Sequence, residues 1–79
     1  MPELVTQARG LINAASAAIA AATREPPSAN MAMLARIIVG EAKKRRPQNL
    51  LIQSIDLDAK APDWNDVRAV MKVVVRTLG

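Results

Sequence analysis

The chain has 79 residues, with 11 Lys plus Arg against 7 Asp plus Glu, so it has room for one domain (1–79) and its net charge of +4 favours acidic partners. It contains no Cys, His, Tyr or Phe, and Trp64 is its single aromatic residue. This excludes disulfides, thiolate or imidazole catalysis, ordinary zinc ligation and the stacking platforms that hold single-stranded nucleic acid. Without cysteine the chain fits a cytoplasmic location, and no cofactor or metal is expected.

Prolines divide the sequence, because each lacks an amide donor and pushes the preceding residue out of helical geometry. Pro26-Pro27, Pro47 and Pro62 leave four segments without an internal repeat. All four read as helical, roughly 2–23, 30–46, 48–59 and 63–78, which predicts an all-α fold, a small compact bundle of about four helices.

The first segment contains the run INAASAAIAAAT, residues 12–23. An export signal would begin with a positive flank, yet residues 1–10 carry Glu3 and Arg9 and net to zero. A membrane span is opposed by Gln7, Arg9 and Asn13, against which alanine supplies little transfer energy. The periodicity is more informative. Val5, Ala8, Ile12, Ala15, Ile19 and Ala22 recur at alternating steps of three and four, a seam in which branched side chains alternate with alanine. Leu4, Leu11 and Ala18 lie beside it, so the apolar surface is broad, and alanine lets a neighbouring helix approach closely. The surplus face suits another helix from the same or another chain, and this motivates self-association.

The second segment can be capped by Ser28 or Asn30. Met31, Leu34, Ile37 and Ile38 trace its apolar face, and Lys43, Lys44, Arg45 and Arg46 fall in its last turn, where helix carbonyls favour cations. Gly40 weakens it and suggests a close approach by a neighbouring backbone. In the third segment Leu51, Ile52, Ile55 and Ala59 form a helical face. Ile55, Leu57 and Ala59 also alternate as in a strand, but no second strand is available for pairing. In the fourth, Asp63 caps and Asp66 adds negative charge to the first turn, while Trp64, Val67, Val70, Met71, Val74 and Leu78 make a strongly apolar face.

Chemistry-bearing constellations are few. Asp56, Asp58, Asp63 and Asp66 invite a calcium-loop reading that fails, because Lys60, Ala61 and Val67 stand where a ligand, a glycine and a bidentate glutamate belong. The three glycines, at 10, 40 and 79, form no phosphate-cradling loop. Residues 43–46 and the spaced set Arg68, Lys72 and Arg76 are candidate anion-binding groups, able to follow a phosphate backbone or an anionic membrane if they share a face. Met31 and Met71 lie on core stripes and Met33 lies beside one, which suits gap-filling. The expected function is that of a small non-enzymatic helical interaction or adaptor module, contacting a protein partner or its own copies. The candidate interface is Val5, Ala8, Ile12, Ala15, Ile19 and Ala22, together with Trp64, an anchor by residue type whose place on the most apolar face favours core or edge packing. The alternative is a phosphate-binding accessory protein, for nucleic acid or an anionic membrane, using the two basic features.

Overall fold

The computed structural model describes residues 2–57 and 62–78. Among these the fold is all-helical, with α1 (Pro2–Ala20), α2 (Ala29–Arg45), α3 (Leu50–Gln53) and α4 (Trp64–Leu78) and no strand. The four-helix reading is therefore observed, with the extents of the first and third helices corrected.

α1 stops at Ala20, short of the expected Thr23. The backbone turns over at Ala22, whose φ of 53° is left-handed. Two hydrogen bonds close the end: the Thr23 amide donates to the Ala18 carbonyl and the Ala22 amide to the Ile19 carbonyl, each at 3.0 Å. This is the paired pattern that satisfies the last helix carbonyls, built here on alanine where glycine is usual.

α2 is capped by Ser28, whose Oγ accepts from the Met31 amide at 3.2 Å. Its buried residues are Ala32, Ala35, Ile38, Val39 and Ala42. The inward face is thus rotated from the expected one: Ile38 is fully buried, Met31 and Leu34 are half-buried, and Ile37 is exposed. Gly40 is not a point of close approach, since a Cβ built there meets nothing within 4 Å.

The third helix, expected over 48–59, is a single turn. Asn49 Oδ1 accepts from the Ile52 amide at 3.0 Å and starts it. Ser54 Oγ then donates to the Leu51 carbonyl at 2.7 Å, and the Ile55 amide reaches the Ile52 carbonyl at 3.2 Å, a tightened last turn. Residues 55–57 are non-helical, with Leu57 buried and Asp56 exposed. Arg36 Nε donates to the Leu57 carbonyl at 3.4 Å, linking this segment to α2. The expected helical residues Asp58 and Ala59 lie outside the described residues.

α4 opens on a reciprocal cap. The Asp66 amide donates to Asp63 Oδ1 at 2.7 Å, and the Asp63 amide donates to Asp66 Oδ2 at 3.2 Å. Val67, Met71 and Val74 on its inner face are fully buried.

The most extensive contact joins α1 to α4, while α2 packs on both and α3 touches α2. Trp64, in the first turn of α4, meets Glu25, just beyond the end of α1, so α1 and α4 run antiparallel. Four alanines, Ala8, Ala15, Ala35 and Ala42, are fully buried in the shared core beside Leu4, Leu11, Ile38, Ile52 and Met71. A methyl group at these positions lets helix axes lie nearer than leucine allows. The radius of gyration is 11.9 Å, close to the roughly 12 Å expected of a compact chain of this length. No polar or charged side chain is buried among the described residues.

Candidate docking surfaces

The alanine seam divides. Val5, Ala8 and Ala15 belong to the chain's own core, and Ile12 is half-buried against it. Within the same chain α1 packs chiefly against α4 and also against α2. Farther along, Ile19 is half-buried and Ala22 is exposed.

Those last two residues meet Trp64 in an open groove of about 330 Å³, with Arg24, Glu25 and Asp63 at its margin. Sequence and geometry explain the convergence. The left-handed turn at Ala22 swings the chain away from the axis of α1, and Pro26 prevents the helix from resuming. The Asp63–Asp66 cap starts α4 opposite, which places Trp64 in its first turn. The indole Nε1 donates to the Glu25 carbonyl at 2.9 Å, fixing the ring while leaving the side chain half-buried. Three of the seven candidate interface residues thus share one site.

A second surface lies where α2 meets α3. Gln53 Nε2 donates to the carbonyls of Lys43 at 2.9 Å and Arg46 at 3.2 Å, two groups at the C-terminal end of α2. The Arg46 guanidinium donates to the Arg45 carbonyl at 3.1 Å. Lys44 pairs with Glu41 at 3.4 Å, an i,i+3 contact in which the lysine side chain is 77 % exposed, so it adds little stability. Lys43 and Arg45 are half-buried and Arg46 is exposed.

The same corner exposes two apolar side chains. A single helical turn can direct only one side chain squarely inward, and Ile52 takes that place with no exposure. Leu50 is left 83 % exposed and Leu51 60 % exposed. On α2, Met33 and Ile37 are likewise exposed, so Met33 is not the gap-filler expected of it, and neither Ile37 nor Leu51 lies on the inward face assigned to it. Periodicity missed these residues because it records apolar spacing without recording how short the third helix is. The Ser54 hydroxyl, which ends α3, was the available signal.

The other basic set lies on α4, a different element from residues 43–46, with Lys72 and Arg76 exposed and Arg68 half-buried. Asp63 and Asp66 are engaged in the helix cap, Asp58 lies outside the described residues, and no group of three potential ligands able to hold a metal occurs among the described residues. Among those residues, too, no helix is long and apolar enough to cross a membrane. Compared with known protein families, curated proteins and solved structures, the chain matches none.

Proposed function

We propose that the chain is a non-enzymatic helical interaction module whose protein-docking site is the groove between the end of α1 and the start of α4. The observation that carries this reading is the convergence of Ile19, Ala22 and Trp64 in one open site. A half-buried tryptophan held by its N–H offers a rigid apolar contact at low ordering cost, the character of a binding anchor. The lack of His, Cys and Tyr supports a role without catalysis.

A second copy of the chain is the first partner to test. Trp64 is the only fluorophore of its kind, so its emission reports the groove directly. Sedimentation from micromolar to millimolar protein should show a rising mass in step with a shift in that emission, and Ile19→Asp should abolish both. A concentration-independent monomer with unchanging emission would remove self-association through this groove.

The alternative, a phosphate-binding accessory protein, draws support from the exposure of Lys44, Arg46, Lys72 and Arg76. Binding to duplex DNA or anionic vesicles should then weaken steeply with salt. Absence of binding at low salt would rule it out.

A further inference from the structure

We infer that the α2–α3 corner is a docking surface for an anionic lipid bilayer, with Leu50 and Leu51 entering the headgroup boundary and the exposed Lys44 and Arg46 meeting its phosphates and carboxylates. The charge half of this inference rests on the phosphate-binding reading, whereas the leucine half and the groove beside Trp64 are independent of it.

Three observations place both chemistries in one site. The two leucines protrude, one of them 83 % exposed, although the core takes up Ile52 from the same turn. Gln53 bonds to the carbonyls of Lys43 and Arg46, so the turn bearing the leucines is held against the turn bearing the cations. Between residues 42 and 55 the chain carries four cations and no acid; the nearest acid on α2, Glu41, is paired with Lys44.

The chemistry of the surface selects the occupant. A nucleic-acid backbone would engage the cations but offers nothing apolar to two adjacent leucines. An acidic protein would need an apolar pocket placed to receive both exposed leucines beside its carboxylates. A bilayer needs no such fit, because anionic headgroups surround an apolar layer that receives any protruding side chain to a depth of about 5–10 Å.

The test uses the full chain with phosphatidylcholine vesicles, with and without phosphatidylserine, in a flotation assay over a range of salt. Binding should require phosphatidylserine and fall as salt rises. The double variant Leu50→Ser/Leu51→Ser should weaken it by on the order of tenfold or more, as should Lys44→Gln/Arg46→Gln. Both pairs are at the surface, and unchanged helicity by circular dichroism verifies that each variant is folded. Full vesicle binding by the leucine variant would overturn the inference and leave a purely electrostatic contact. Binding to duplex DNA without vesicle binding would overturn it while preserving the phosphate reading. Leucine-dependent binding to polyglutamate without vesicle binding would overturn it in favour of an acidic protein. No binding to anionic vesicles at low salt would overturn it outright.

Discussion

The indole N–H of Trp64 reaches the backbone carbonyl of Glu25, 39 residues earlier, at 2.9 Å. One hydrogen bond therefore joins the linker after α1 to the first turn of α4, across the groove proposed to receive a partner. Trp64→Phe keeps an aromatic ring and removes the donor. The variant should lose about 1–3 kcal/mol of stability, the net worth of such a bond together with the core contact of the deleted ring. Urea unfolding followed by circular dichroism measures it; a loss near zero would mean that neither the hydrogen bond nor the second ring of the indole contributes to the fold.

Ala15 has no exposed surface, so added volume has nowhere to go. Ala15→Leu should cost about 1–3 kcal/mol by overpacking the shared core. Ala17→Leu on the exposed side of the same helix should change stability by no more than about 0.5 kcal/mol. Equal effects at the two positions, compared by thermal unfolding, would contradict the orientation of α1.

Gly40 lies within α2, and a methyl group added there meets nothing within 4 Å. Gly40→Ala should stabilise the protein by about 1 kcal/mol, chiefly because glycine has more backbone freedom to lose on folding. A raised urea midpoint at unchanged slope is the expected record; a lowered midpoint would reveal a neighbour that the open space does not show.

Ala22 is the reverse case. At a φ of 53° its Cβ crowds the backbone, a cost glycine avoids. The gain from Ala22→Gly is partly offset by greater freedom in the unfolded chain, and the net stabilisation should be about 0.5–1 kcal/mol. Denaturant midpoints decide the sign, and destabilisation would mean that the Ala22 methyl contributes packing worth more than its strain.

Gln53 binds two carbonyls at the end of α2, yet its side chain is exposed. Gln53→Ala should therefore cost only about 0.5–1.5 kcal/mol globally while loosening α3 locally. Amide exchange should quicken at Ile52 and Gln53 before it changes at Val67 to Val74. Uniform quickening across all of these would make α3 part of one cooperative unit and remove the local role given to Gln53.

Much of this architecture is legible in the residues. Pro26-Pro27, Ser28, Pro47, Asp63 and Asp66 mark boundaries through local backbone chemistry, which acts within a few positions and so can be read without the fold. The face of α4 is equally plain, because Val67, Met71 and Val74 are large enough to dominate their helix. The face of α2 is obscured by the opposite circumstance: its inward side includes Ala32, Ala35 and Ala42, which have little apolar area, while the larger Ile37 and Met33 face out. Size-weighted periodicity follows the larger side chains. The groove was legible only as separate pieces, since Ile19, Ala22 and Trp64 meet through a tertiary contact that spacing along the chain does not contain.

The pairing of α1 with α4 also sets a schedule for synthesis. At translation speeds of about 5–20 residues per second, α1 emerges seconds before Val67, Met71 and Val74 exist to cover it. Local contacts can nucleate α1 and α2 early, but the loop that returns α4 to α1 must close before their shared core is dry. A nascent chain that ends short of Met71 would lack the helix that covers most of the buried side of α1, the side bearing Leu4, Ala8, Leu11 and Ala15.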